Sequence, residues 1–431
     1  MTLIPTHSLD EIVLDHKSGK ARGITSVCSA HPTVLDAVFR HALEKNTFVL
    51  IESTCNQVNQ FGGYSGMTPK AFVEFIENVV KQLKFPHKRL ILGGDHLGPE
   101  VWKDQPASVA MSEACALVRA YVKAGYRKIH LDASMKLADD LESPIPVELI
   151  AKRTALLTHT AELTFAESDG DFPPRYVIGT EVPIPGGAQE EDTLQVTSVR
   201  DLTESLEKTR MAFSNLGLES AWERVIAVVV QPGVEFGDTS IHEYNREKAA
   251  ALARFVEGEQ FVYEAHSTDY QTRNALRQMV EDHFAILKVG PALTFAYREA
   301  VFALAMMENE LFPGNERSNL ISTLDITMRE NPRYWQKHYH GTDSKQTFAR
   351  KYSLSDRSRY YWSHPSLQRS LEILFTNLEG APLPLTLLSQ LLPTQYQRIR
   401  NKSLDNSLRS IIADKIISVL ADYSYACNCF V

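Results

Sequence analysis

Asp95 and His96 stand side by side in the apolar segment Leu92-Gly-Gly-Asp-His-Leu97. Where the backbone bends, such a pair can divide labour: the imidazole takes a metal ion and the carboxylate stands near a substrate proton. Glu181 and His266 complete an N,N,O set with His96. Three such ligands leave coordination positions open for substrate oxygens, as a catalytic divalent metal requires, zinc in the first place. Asp132 and Glu264 are reserve ligands or groups that orient the ligands from behind, and Glu52 and Gln231 occupy comparable positions in their own segments. The bland reading of the same residues pairs Asp95 with a nearby Lys or Arg and lets His96 close a loop. His31 and His130, each judged alone, read as structural.

A second group points to an anion. Ser267, Lys288, Gly290 and Thr294 fall where backbone N–H groups and a helix N-terminus would hold a phosphate. Lys288 adds charge there, or serves as a Schiff-base lysine, although nothing in the sequence lowers its pKa. Arg357 and Arg359 lie among Tyr360, Tyr361 and Trp362. That segment reads as a packing or subunit-interface surface, with an anion site as the alternative.

These residues need elements to converge them. Val- and Ile-rich runs at 23–29, 47–53, 89–96, 128–134, 175–182, 224–231, 261–267 and 285–290 read as strands apolar enough to be covered on both faces of a parallel sheet. Between them the apolar residues recur at three- and four-residue steps. Phe72, Phe75, Ile76, Val79, Val80 and Leu83 do so after Pro69, and Met111, Ala114, Leu117, Val118, Tyr121 and Val122 before Gly125. Further helices are expected over 146–166, 199–215, 245–257, 271–282 and 295–309. Eight strand–helix units over 23–309 suit a (β/α)₈ TIM barrel, commonly about 250 residues long, in which reacting groups gather at the C-terminal strand ends. A doubly wound open sheet would alternate too, but no Gly-rich dinucleotide turn follows the first strand. The expected organisation is therefore a barrel over 1–309, including a short helix at 8–20, and a helical extension over 310–431 packed on it.

Composition sets outer limits. The 431 residues hold 45 basic and 53 acidic side chains, a net charge of −8, which makes general binding of nucleic acid or an acidic membrane a poor fit. No run approaches the roughly 20 apolar residues of a membrane span, and the first residues do not read as a leader. Five cysteines without paired CxxC spacing read as thiols of a reducing cytoplasm, with Cys427 and Cys429 in a frayed tail. No P-loop or other nucleotide-cradling motif is present, so no nucleotide cofactor is expected.

The strand ends and the extension carry a resemblance. VCSAHP, CNQVNQFGGYSGMTP, LGGDHLGP, KIHLDAS, YVIGTEVPIPGG, VVQPGVEF, YEAHSTDYQT and AILKVGPALTF, with RYWQKHYHG, YSLSDRSRYYW and PLTLLSQLLPTQYQRI beyond them, resemble the Z-subunit family of bacterial D-tagatose-1,6-bisphosphate aldolase. The likeness spans about 16 to 425. It implies a barrel working in galactitol or N-acetylgalactosamine catabolism, as the non-catalytic partner that supports the activity and stability of a zinc-dependent class II Y subunit, with a chaperone-like role. It also implies a phosphorylated ketose as ligand; a homo-oligomer is a further expectation. Asp95-His96, Glu181, His266-Ser267 and Lys288-Val289 look like motifs of class II aldolases themselves, with Glu181 departing in ligand type. The resemblance therefore leaves a second role open, a metal-dependent ketose-phosphate C4 epimerase or aldolase with Asp95 as acid/base.

Overall fold

The computed structural model describes residues 8–168, 170, 172–179 and 194–428. Its core is a closed barrel of eight parallel strands: β1 (Ile24–Cys28), β2 (Val49–Thr54), β3 (Leu90–Leu97), β4 (Lys128–Leu131), β5 (Arg175–Ile178), β6 (Val225–Val229), β7 (Val262–Ala265) and β8 (Phe284–Val289). Each strand pairs with its neighbours in sequence, and β1 closes on β8 in the register Ile24 to Ile286 and Val27 to Val289. The fold is thus a (β/α)₈ TIM barrel with a C-terminal helical extension. A short antiparallel pair, Glu235–Phe236 with Ile241–His242, decorates the loop after β6.

Helix α1 (Ser8–Lys17) turns Leu9, Ile12 and Val13 into the apolar cluster formed by Ile24, Leu50, Ile91, Val177, Val262 and Ile286 of the barrel strands. Arg175 at the start of β5 fastens it, its Nη2 lying 2.6 Å from the Asp10 carboxylate. The outer wall holds α2 (Pro32–Lys45), α3 (Pro69–Leu83), α4 (Ala107–Lys123), α5 (Val147–Ala166), α6 (Val199–Ser214), α7 (Arg246–Glu257), α8 (Arg273–Glu281) and α9 (Pro291–Leu311). Local chemistry sets their ends. Thr68 accepts the Ala71 N–H ahead of α3, Pro69 fits its first turn, and Gly125 with φ of 99° follows α4.

Beyond Leu311 the chain forms α10 (Leu320–Glu330), α11 (Asp343–Tyr352), α12 (Pro365–Leu378), α13 (Leu385–Leu391), α14 (Pro393–Arg400) and α15 (Leu408–Cys427). Helix α15 returns to the barrel, packing on α2, α8 and α9 and reaching β1. Cys427 is therefore no frayed end: it is buried, and its carbonyl accepts the Gly23 N–H at 2.8 Å. Cys429 lies outside the described residues. Arg357, Tyr361 and Trp362 are buried in the chain's own packing.

Two further readings need adjustment. Strands β4 and β7 stop at Leu131 and Ala265, before the expected 134 and 267, because the chain turns outward at the mouth, with Ser267 at φ 53°. Helix α9 begins at Pro291 rather than 295, because its first turn is capped from another loop: Asp269 Oδ1 accepts the Gly290 and Ala292 N–H groups at 3.0 and 2.8 Å. Such a cap is invisible to local sequence.

Ile416 of α15 is fully buried in the main core, so Ile416→Ala is expected to destabilise the protein by about 3 kcal/mol through the cavity it leaves. Urea unfolding followed by circular dichroism checks this; an unchanged midpoint would mean that α15 contributes nothing to the folded core.

Candidate functional site

Inside the barrel, near the C-terminal strand ends, lies a layer of charge. Lys128 Nζ on β4 sits 2.6 Å from both Glu52 Oε1 on β2 and Glu264 Oε2 on β7, all three side chains fully buried. Lys288 Nζ on β8 lies 2.9 Å from Glu52 Oε2, 2.7 Å from Asp95 Oδ1 and 3.7 Å from Glu264 Oε1. Ser26 on β1 donates to Glu52 Oε1 at 2.7 Å. Glycine makes room for this layer: a Cβ on Gly93 would stand 2.7 Å from Glu52 Cγ.

Above the layer three imidazoles form a triangle, with ring centroids 5.0 Å apart for His96–His130, 4.8 Å for His96–His266 and 5.1 Å for His130–His266. A bend in β3 brings His96 there. The residue has φ of 48°, and the ladder to β4 shifts register between Gly94 and Leu97. Asp95 and His96 thereby reach the same cavity instead of opposite faces of the sheet.

Each ring is held through one nitrogen by a carboxylate. His96 Nδ1 lies 2.9 Å from Asp132 Oδ2, His266 Nε2 3.0 Å from Glu264 Oε1, and His130 Nδ1 2.8 Å from Asp95 Oδ1. This leaves His96 Nε2, His266 Nδ1 and His130 Nε2 for another partner. His130 Nε2 is buried with no hydrogen bond. Its Nδ1 also lies 3.1 Å from the His96 N–H and cannot serve both neighbours. With the proton on Nδ1 the ring donates to Asp95 and Nε2 offers a bare lone pair; with the proton on Nε2, a buried N–H lacks an acceptor. The first arrangement is that of a metal-ligating histidine.

Charge points the same way. Burial drives His266 down to about 3, against the pull of Glu264, so its imidazole is neutral and able to ligate. Burial opposes ionisation of Asp132, but His96 beside it holds the carboxyl down to about 2. Burial likewise opposes Asp95, and Lys288 overrides it, keeping the carboxyl well below the usual range. Glu52, Asp95 and Glu264 face the two ammonium groups of Lys128 and Lys288, one carboxylate in excess, while Asp132 faces His96; a divalent cation over this layer would meet net negative charge. Asp95, His96, His130 and His266 can each point a ligand atom within 4.8 Å of the others, and Glu52, Asp95 and Glu264 form a second such group. The residues present fit a metal.

The candidates named from sequence are distributed as follows. Asp95, His96, His266, Ser267, Lys288 and Gly290 line one cavity of about 110 Å³. Asp132 and Glu264 sit behind the rings, and Glu52 lies in the layer beneath. Glu181 falls outside the described residues. Gln231 is turned onto its own loop, accepting the Gly233 and Val234 N–H groups. The Gly290 N–H is engaged by Asp269, and Thr294 Oγ1 donates to Asp356 Oδ2 of the extension at 2.6 Å. Lys288 is ion-paired with Glu52 and Asp95: burial favours its neutral form, but Asp95 and its neighbours hold the ammonium well above its ordinary value, which disfavours a Schiff-base role. Sequence reading passed over His130 and Lys128 as site residues. The signal was available in Lys128-Ile-His130-Leu-Asp132, since period-two alternation puts the three polar residues on one face.

Residues 9–428 match the family described as D-tagatose-1,6-bisphosphate aldolase subunit GatZ/KbaZ-like. The chain belongs to this family. Among curated relatives, the D-tagatose-1,6-bisphosphate aldolase subunit GatZ of Klebsiella pneumoniae subsp. pneumoniae is 51% identical, the match covering 97% of this chain and 99% of that one. The subunit of the same name from Salmonella dublin is 50% identical with the same coverage. A crystal structure from Sinorhizobium meliloti 1021, described as a "probable tagatose 6 phosphate kinase", matches with a TM-score of 0.87 at 43% identity, covering 94% of this chain and all of that one. The GatZ/KbaZ-like match thus takes in barrel and extension together.

The buried charge layer has a measurable consequence. Lys128→Met removes the ammonium between Glu52 and Glu264, leaving Lys288 as the one lysine at both buried carboxylates, and is expected to cost about 3–5 kcal/mol of stability. Chemical denaturation of the variant against the parent reads this directly, and a loss under about 1 kcal/mol would show the carboxylates to be neutralised some other way.

Proposed function

We propose that this chain is the accessory subunit of a tagatose-1,6-bisphosphate aldolase in galactitol or N-acetylgalactosamine catabolism. In this reading it works in the cytoplasm, keeping a catalytic class II Y subunit active and stable, in a chaperone-like capacity. The observation that carries the reading is the match, over nearly the whole of both chains, to relatives named as subunits of that aldolase. The kinase description of the Sinorhizobium meliloti protein finds no support in this sequence, which has no P-loop. Co-expression with a class II tagatose-bisphosphate aldolase Y subunit is the test. The Y subunit is expected to co-elute with this chain, to cleave tagatose 1,6-bisphosphate severalfold faster and to survive longer at 37 °C, conditions chosen near physiological temperature. Unchanged activity, lifetime and elution would refute the accessory role.

The imidazole triangle favours a second reading, that the barrel carries out its own retro-aldol chemistry on a phosphorylated ketose, as a C4 epimerase or an aldolase. Asp132, Glu264 and Asp95 orient the rings of His96, His266 and His130, which would hold the metal, with Glu181 a further ligand by sequence. A divalent cation there, zinc in the first place, would polarise the ketose carbonyl. Asp95 stands beside the ligand nitrogens as the acid/base, held as a carboxylate by Lys288 2.7 Å away. Purified protein is expected to carry roughly one metal ion per chain, lost in His96→Ala, His130→Ala and His266→Ala, while Asp132→Asn weakens affinity about 10–100-fold. Folded, metal-free parent protein in elemental analysis would remove this reading and leave the first standing.

A further inference from the structure

Above the imidazoles the cavity is not walled by the barrel alone. Arg359, in the short turn Arg357–Tyr360 of the extension, lines both the cavity over His96 and His266 and an adjoining chamber of about 430 Å³. The residue is partly exposed, and its guanidinium hydrogen bonds go to neutral oxygens: the Ser355 carbonyl, the Asp356 carbonyl at 3.1 Å and the Tyr360 hydroxyl at 2.9 Å. The carboxylate three residues earlier, Asp356, is directed elsewhere, to Arg298 at 2.9 Å and Thr294 Oγ1 at 2.6 Å. That buried pair clamps the extension to α9 and fixes the position of the Arg359 turn over the mouth.

The customary anion seat of a barrel, the helix N-terminus after the last strand, is taken here. Asp269 Oδ1 accepts the Gly290 and Ala292 N–H groups, so a carboxylate from the chain itself occupies the place a phosphate would seek. Lys288 is surrounded by three carboxylates. The cavity therefore offers an incoming anion, on its extension side, a guanidinium whose hydrogen bonds go to neutral oxygens while Asp356 and Asp269 act on it only through space, and on its barrel side carboxylates.

We propose that Arg359 is the specificity-determining anchor for the phosphate terminus of the ligand, so that the extension, rather than the barrel's own strand ends, supplies the anion grip of this site. A guanidinium offers parallel N–H donors suited to phosphate oxygens, and Tyr360 OH, already accepting from Arg359, keeps its own proton free to donate. The choice of phosphate over a carboxylate rests on the phosphorylated ketose of the proposed function; the location rests on the geometry alone.

The test uses inorganic phosphate and the full chain. Calorimetric titration is expected to show phosphate binding that Arg359→Gln weakens at least about tenfold and Arg359→Lys by less, since the lysine keeps charge but loses the fork. Undiminished affinity in Arg359→Gln overturns the assignment. Arg359 also braces its own turn, so a footprint on the unmutated protein is run in parallel. Phosphate, and not acetate at equal ionic strength, is expected to protect Arg359 from phenylglyoxal, as located by peptide mass spectrometry. No protection overturns the assignment, and equal protection by acetate overturns phosphate as the ligand class. Metal content and Y-subunit stimulation are measured on the same preparations. An unprotected Arg359 in protein that binds metal or stimulates the Y subunit defeats only this inference, whereas a protected one in protein that does neither defeats only the functional reading.

Discussion

The site depends on a buried layer in which Lys128 and Lys288 bridge carboxylates from β2, β3 and β7. Buried charges are costly to desolvate, and this layer persists because each ammonium faces two or more carboxylates across the barrel at short range. A closed barrel is the geometry that allows it: only when β1 meets β8 do residues as distant in sequence as Glu52 and Lys288 come within 2.9 Å. The layer also sets the electrostatics above it. It pins Asp95 as a carboxylate and leaves negative charge beneath the imidazoles: burial keeps His266 neutral, whereas for His96 burial opposes the charged form but Asp95 and Asp132 outweigh it.

Over that floor the histidines act as a unit because each is oriented from behind. Asp132, Glu264 and Asp95 each hold one ring nitrogen, and this directs the opposite nitrogens toward one another. His96 adopts a left-handed backbone conformation to take part, a strained choice for a residue with a side chain, and one that hydrogen bonding to Asp132 and the surrounding packing must maintain. The bend has a clear return in geometry: two consecutive residues of one strand enter one cavity.

The extension belongs to the same construction. Helix α15 covers β1 and its neighbours, while Asp356 links Arg298 and Thr294 of α9 to the turn that carries Arg359. Thr294 and Gly290, placed by sequence at a phosphate seat, hold the extension and the first turn of α9 in register. In the proposed assignment the anion grip lies across the mouth, on the segment packed on the barrel.

Amino-acid order alone carried the barrel. The apolar runs are short, their spacing admits a helix between each pair, and eight units without a Gly-rich dinucleotide turn suit a closed barrel, so the architecture was legible over 23–309. That Asp95, His96, His266, Glu264 and Asp132 lie together was legible as well, because ionisable residues at strand ends are hard to explain by packing. Other features depended on partners far away in the chain. The orphan nitrogen of His130 exists only beside Asp95, the ion pairing of Lys288 only beside Glu52 and Asp95, and the early start of α9 only because Asp269 reaches it. A residue type states which bonds it can make, whereas three-dimensional proximity decides which of them are made.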